Sequence, residues 1–358
     1  MRTYEFVIGR ADAGLRVDRY LAKYLPTAVS RTSIQRVLRD GLITVAGRAV
    51  KVHYKLQAGE TVRAIFNELP AKSTNAVVLP EPIPLEIVYE DDALLVVNKP
   101  PGLVAHPAPG HWTGTLVNAV LWHLQQQTAG SRQRAAKEGQ ADGEAAAPLP
   151  RAGLVHRLDK DTSGLLVIAK TERAHAGLSK QLKSRTMSRR YLAVVEGHLP
   201  MASGTVRAAI GRHNVHRKEM TVRHLGGKAA VTHYRVLARS PGSAARDRLP
   251  ASDTQPLVWS LLEVSLETGR THQIRVHMAH LGHPVAGDLT YGKHTPDYWQ
   301  AFGIERQLLH AYAIRFIHPL TRQPVELTAP PAEDLRRLIP SVEERLKSVR
   351  TPGGTPGS

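Results

Sequence analysis

The stretch His156-Arg157-Leu158-Asp159-Lys160-Asp161-Thr162-Ser163-Gly164 sets an acid beside an arginine in a tight polar turn and then runs into Leu165-Leu166-Val167-Ile168-Ala169. A polar turn feeding a buried strand can hold one carboxylate rigidly at the edge of a cleft. The same residue types are ordinary turn formers, so simple capping by Asp159 and Asp161 is the competing explanation. A second group with chemical capacity is Tyr191, which opens the strand Tyr191-Leu192-Ala193-Val194-Val195 behind Arg189 and Arg190. It offers an apolar ring with a polar tip, suited equally to packing in a core and to stacking on a ligand. The third is Leu266-Glu267-Thr268-Gly269-Arg270-Thr271-His272-Gln273-Ile274-Arg275-Val276-His277, a turn of Thr and Gly followed by an alternation whose polar members fall on one face.

The composition says what such groups would act on. Forty-eight Lys and Arg stand against 31 Asp and Glu, a formal charge of +17, which points to a polyanionic partner rather than a small metabolite. The length of 358 residues suits two domains, and 42% apolar residues argue against global disorder. No cysteine is present, which excludes disulfides and thiolate metal sites. His272, His277, His280 and His283 invite a metal reading, but no Asp or Glu lies among them and no His-Glu-x-x-His pattern occurs. Gly226-Gly227-Lys228 lacks the leading glycine and the following Ser or Thr of a phosphate loop. No metal, nucleotide or other cofactor is therefore expected. Met1-Arg2-Thr3-Tyr4-Glu5-Phe6 lacks the apolar core of a signal peptide and no run reaches membrane-spanning length, so a cytoplasmic protein without membrane contact is expected.

These groups need elements to position them. In residues 1–70, Arg16 to Leu25 has apolar positions at helical spacing, and a second helix capped by Ser30 buries Ile34, Val37 and Leu38 while leaving Arg31, Arg36 and Arg39 largely outward before Gly41 ends it. Ile43 to Val50 reads as a hairpin about a glycine turn, carrying Arg48 and, just beyond it, Lys51, and Gly59 to Ala64 as a closing strand. This region holds twelve Lys and Arg against six Asp and Glu, a patch suited to backbone phosphates. Residues 71–84, with three prolines and no periodic face, read as an extended linker. A catalytic domain over 85–345 then opens with two strands around an acidic turn, ending at Asn98-Lys99-Pro100-Pro101-Gly102, where Lys99 and Pro100 are read as mainly architectural. Residues 125–150 and 240–256 read as flexible insertions, and 346–358 as a disordered tail.

The His156–Gly164 segment, Asn98 to Pro107 and Leu266 to His277 resemble the motifs of the RluA/RluD family of pseudouridine synthases, which isomerise uridine to pseudouridine in structured RNA. Ser30-Arg31 through Arg39 to Gly47 looks like an S4 RNA-binding domain, which makes the chain most similar to the RluD type. The resemblance implies that Asp159 is the catalytic nucleophile, that Tyr191 stacks on the target base and can take its C5 proton, and that Arg275 pairs with Asp159 while Ile274 packs against the base. A guanidinium beside a carboxylate favours the charged form and fixes its orientation. Arg157 becomes the wedge that fills the space left by the flipped uridine, Arg270 a phosphate contact, and His156 a further substrate-side residue. The implied RNA is a stem-loop of large-subunit (23S) ribosomal RNA, modified by a monomer without a nucleotide cofactor. The expected architecture is α+β, with a large, mostly antiparallel mixed sheet, flanking helices and a central basic cleft, beside the small N-terminal domain. The same chemistry on tRNA, or a non-catalytic ribosome-assembly factor, are the alternatives; a carboxylate-dependent hydrolase would need a second acid, for which only Asp161 is near.

Overall fold

Apolar residues spaced by three and four build the first unit. The computed structural model of the chain describes residues 2–25, 29, 31–66, 78–107, 112–137, 153–216, 219–241 and 257–350, and divides into Met1–Val78 and Leu79–Ser358. In the first unit β1 (Arg2–Val7) is followed by α1 (Val17–Tyr24), α2 (Arg31–Arg39), β2 (Ile43–Val45), β3 (Arg48–Ala49) and β4 (Thr61–Phe66). The strands form an antiparallel sheet in the order β1-β4-β2-β3. Val17, Tyr20 and Leu21 of α1 and Ile34, Val37 and Leu38 of α2 bury against Ile43, Val62 and Phe66. Asp18, fully buried, is satisfied by the Arg16 guanidinium at 3.0 Å and Gln35 Nε2 at 2.9 Å. β1, over Arg2–Val7, is an element that the sequence reading does not include. Ser30, the expected cap, lies outside the described residues.

The second unit rests on a nine-stranded sheet. Its elements are β5 (Ile87–Glu90), β6 (Leu94–Lys99), α3 (Leu116–Lys137), β7 (Ser163–Ala169), α4 (Glu172–Ser184), β8 (Ser188–Glu196), β9 (Ser203–Arg207), β10 (Ile210–Arg212), β11 (Met220–Val222), β12 (Val231–Arg239), β13 (Trp259–Leu266), α5 (Gln273–His280), α6 (Pro296–Gln300), β14 (Leu309–Ile317), β15 (Pro324–Thr328), α7 (Glu333–Leu338) and α8 (Val342–Arg350). The sheet runs β5-β6-β7-β14-β8-β13-β12-β9, with β15 also paired to β14, while β10 and β11 form a separate hairpin. Among its described strand pairs only β7 with β14 is parallel, at His310 against Ser163 and Ala311 against Gly164, so the mostly antiparallel mixed sheet with flanking helices is as expected. Every residue of β7 is buried, which is why it reads as an unbroken apolar run. Gly164 is required at its start: with φ +112, an added Cβ would lie 2.3 Å from the Ala311 carbonyl oxygen.

Four boundaries differ from expectation. Residues 79–84 belong to the second unit: Asn118 Nδ2 donates to Leu79 O, Glu81 N to Asn118 O, and Gly114 N to the Glu81 carboxylate, so a proline-rich segment is fastened by backbone groups and one acid rather than by apolar contacts. Residues 125–137, expected as insertion, continue α3, since Gln, Ala, Arg and Lys favour helix; residues 138–150 lie outside the described residues. Ser240 is no insertion residue but closes the β12–β13 hairpin, its backbone N–H donating to Trp259 O and its hydroxyl accepting from Trp259 N; 242–256 are not described. α8 runs to Arg350, so 346–350 are helix, Leu346 being buried against Leu335 and Ile339.

Candidate active site

The His156–Thr162 turn is held from below by two buried cations. Lys99, fully buried, donates to the carbonyls of Lys160 at 2.8 Å, Pro100 at 2.8 Å and Leu103 at 3.0 Å. Burial, and then the charge of Arg306, draw its pKa down to about 7. Arg306 donates through Nη1 to the Asp161 carbonyl at 2.8 Å and is itself paired with Asp334 of α7 at 2.6 Å. Consecutive carbonyls of the turn are thus pinned, and Asp159 projects its carboxylate into the cleft. The architectural reading of Lys99 stands; the part played by Arg306, far along the chain before β14, has no local signal.

His156 lines the same cleft and also serves the sheet. Its Nε2 accepts the Val167 N–H at 3.1 Å, on the stretch of β7 beyond its pairing with β14. Burial first, then the charge of Arg189, lower its pKa to about 3. It is a neutral acceptor for a strand amide at the cleft wall. His310, bonded through Nδ1 to Ser163 Oγ at 2.9 Å, is lowered to about 4 by burial and then Arg306. Both rings are neutral in the fold and both gain a proton on unfolding below about pH 6.5. Stability is therefore full above about pH 6.5 and falls as pH drops toward 4 and 3. Urea unfolding at pH 7, 5 and 4 should show this slope in the wild type, and His156→Gln, which keeps an acceptor without a proton to gain, should make it shallower.

The third motif is a turn followed by the helix α5, rather than an alternation with its polar members on one face. Its polar residues mark opposite ends of a turn and a helix: Gln273 Oε1 accepts from Thr268 Oγ1 at 2.7 Å and Arg270 N at 3.0 Å, and Nε2 donates to Val231 O. That fastening starts α5 and points Arg275 inward. Arg275 donates through Nη1 to Asp159 Oδ2 at 3.2 Å, the pairing that the motif implied. Its stronger partner is Asp288, bound at 2.6 Å by Nε and 2.8 Å by Nη2. Asp288 is fully buried and also accepts from the Thr290 and Tyr291 amides. Burial works against the charged guanidinium, but the hydrogen bonds and charge of Asp288, aided by Asp159, outweigh it and raise the Arg275 pKa. The Tyr291 ring lies 5.0 Å from the guanidinium carbon. Sequence reasoning missed Asp288 and Tyr291; the only signal is an acid and an aromatic between Gly287 and Gly292. Gly287 has φ +78, and a Cβ there would come within 2.0 Å of Arg306 O, so the chain can turn back under Arg275 only with glycine.

The remaining candidates meet around one cleft of about 1170 Å³, beyond the range usual for a single small ligand. Tyr191 and Ile274, 5% and 4% exposed, contribute apolar lining beside Asp159. Burial pushes the Tyr191 phenol up, as does Asp159, against Arg189. Arg157 and Arg270 are exposed on the same cleft, Arg270 steadied by a bond to Ala229 O, and Lys183, Arg185 and Arg189 extend the positive lining. His272 also faces Asp159, Nε2 to Oδ1 at 3.8 Å. In the first unit Arg36, Arg39, Arg48 and Lys51 are exposed, and Arg31 opens α2, its side chain lying outside the described residues. Of the suspected metal ligands, His277 bonds Thr232 Oγ1 and Ala208 O, and His283 bonds Glu196 O.

Known proteins resemble this chain over most of its length. The sequence model of RNA pseudouridylate synthases matches residues 93–280. An uncharacterized RNA pseudouridine synthase of Bacillus subtilis is 42% identical over 92% of this chain and 94% of its own length. The chain belongs to the RNA pseudouridylate synthase family. The ribosomal large subunit pseudouridine synthase D of Nitrosomonas europaea is 40% identical over 95% of this chain and 88% of its own. Among solved structures, human RNA pseudouridylate synthase domain containing 1 superposes with a TM-score of 0.52 at 26% identity, covering 75% of this chain and 96% of that one. The pseudouridylate synthase match includes Asp159, Tyr191, His272 and Arg275, whereas Asp288 and Tyr291, which complete the Arg275 site, fall beyond it. No helix among the described residues is long and apolar enough to cross a membrane.

Proposed function

We propose that this protein converts uridine to pseudouridine at defined positions of large-subunit ribosomal RNA, with Asp159 as the nucleophile. The observation that carries the reading is the Asp159–Arg275–Asp288 chain at the foot of a cleft lined with cations. It presents one carboxylate, oriented without a competing proton donor from its partner, which suffices for a reaction that needs no redox step and no water. The N1–C1′ bond of the uridine breaks, the uracil turns while held, C5 bonds to C1′, and C5 then loses its proton while N1 takes one up from solvent, so that the product is an isomer of the substrate. Tyr191 and Ile274 supply the apolar surface on which a flipped base stacks, and Arg157 at the cleft is the group to occupy the vacated stack. The RNA is chosen by the relatives, several of which bear the name ribosomal large subunit pseudouridine synthase D.

The test is release of tritium from RNA labelled at uridine C5. Unmodified large-subunit rRNA should release label with wild-type protein in the absence of added nucleotide. Release from bulk tRNA alone would overturn the choice of RNA, and release from neither would overturn the activity.

The first unit is proposed as an S4-like RNA-binding domain, supported by Arg36 and Arg39 on the exposed side of α2 and Arg48 and Lys51 by the hairpin. Arg36→Glu with Arg39→Glu should weaken rRNA binding and lower the slope of log affinity against log salt by about one for each phosphate no longer neutralised. Filter binding at several salt concentrations reads both, while thermal unfolding should not move, since neither arginine is buried. An unchanged slope would place RNA elsewhere.

A further inference from the structure

His272 stands at the start of α5 with left-handed backbone, φ 55, a strained conformation for a residue other than glycine and one that persists only where its surroundings over-determine it. Its Nδ1 lies 2.7 Å from Tyr291 Oη, and that oxygen already accepts the Met220 N–H at 2.9 Å. Among the described residues the phenol has no other acceptor, so its own proton points at Nδ1. Burial pushes the Tyr291 pKa up, and the phenol keeps that proton. Nδ1 therefore accepts, and the neutral imidazole carries its hydrogen on Nε2.

Nε2 faces the cleft, 3.8 Å from Asp159 Oδ1. That distance is too long for a hydrogen bond, so among the described residues the N–H is uncommitted and a substrate atom can take it. The charged groups around the ring are Asp159 and Arg157 from the turn before β7, Arg275 from α5, and Asp288 from the loop beyond. Burial, and then the two arginines, hold its pKa below the ordinary histidine value against the two acids. A protonated ring would instead pair with Asp159 and blunt it; a neutral one leaves the carboxylate to Arg275.

We propose that His272 donates its Nε2–H to a carbonyl oxygen of the target uracil as the N1–C1′ bond breaks. The inference rests on uridine isomerisation by Asp159 and adds a second catalytic residue to it. When the bond breaks, the bonding pair leaves with the uracil and spreads over N1, O2 and O4, while Asp159 meets the electron deficiency at the sugar. The negative charge on the base is what the imidazole N–H stabilises, without giving up its proton. The charge is withdrawn when the same electrons form the C5–C1′ bond. A neutral, fixed donor in a site partly closed to water is well suited to a leaving anion.

The experiment compares His272→Asn, which tolerates the left-handed backbone but places no N–H at the Nε2 position, with His272→Gln, which restores an amide N–H near it. Each is assayed in single turnover on one rRNA fragment carrying either uridine or 5-fluorouridine, whose base is the better leaving group and needs less help, and the rate is read in both cases as loss of the starting nucleoside from RNA digests, because 5-fluorouridine has no C5 hydrogen to release. His272→Asn should lose about 10²-fold on uridine and about tenfold or less on 5-fluorouridine, with unchanged RNA affinity, and His272→Gln should regain most of the loss. Tyr291→Phe, which keeps the ring over Arg275 but frees the tautomer, should slow uridine by about tenfold. Equal losses on both substrates, a Gln variant no faster than Asn, or an Asn variant as fast as wild type would each overturn the proposal. Wild-type protein inactive on both RNAs would instead sink the isomerisation reading, and this inference with it.

Discussion

Asp159→Asn should abolish turnover, by at least about 10⁴-fold, while rRNA affinity changes by no more than about twofold. The asparagine amide has nearly the carboxylate's shape and its oxygen can still accept from Arg275, now at 3.2 Å from Asp159 Oδ2. The turn does not depend on the side chain, because Lys99 and Arg306 grip the carbonyls of Lys160 and Asp161. What disappears is the nucleophile alone, and the cations that line the cleft remain for phosphate. Single-turnover tritium release and filter binding on the same preparation separate the two. Parallel loss of binding and thermal stability would show instead that Asp159 serves the turn.

Arg275→Leu should be the most damaging change to the site's structure. It strands Asp288, which is fully buried and then keeps only the Thr290 and Tyr291 amides, and removes the partner of Asp159. Breaking a buried pair by deleting one charge costs about 3–5 kcal/mol, most of it from the uncompensated partner. Chemical unfolding should show a loss of that size and tritium release should vanish. Adding Asp288→Leu should recover much of the stability, since apolar replacement of both charges is often tolerated, yet restore no activity. Recovery of activity in the double variant would mean that the pair only holds the loop.

The sequence shows most clearly those parts of the site that are local. The His156–Gly164 turn, the wholly buried β7 behind it and Tyr191 near the head of β8 each occupy one continuous stretch, so residue type and spacing are enough. The partner of Asp159 is legible because the motif brings it, but its setting misleads: Thr268 to His277 looks like alternation because Gln273 and Arg275 both turn inward, for different partners. Asp288, Tyr291 and Arg306 escape such reading because their partners lie 13 to 145 positions away, and no periodicity records such contacts. His156 lines the cleft, as its place in the motif suggests, but the strand amide that its ring also satisfies has no local signal. The helical run through 125–137 is hidden because it lacks an apolar face, and propensity alone, a weak guide, decides there.

The most direct test of the central claim is a map of pseudouridines in large-subunit rRNA from source cells lacking this gene, complemented with wild-type or Asp159→Asn protein. The account predicts specific uridines that stay unmodified in the deletion strain, become pseudouridine with the wild type and remain uridine with Asp159→Asn. A deletion strain whose large-subunit rRNA keeps every pseudouridine, or restoration by Asp159→Asn, would contradict it.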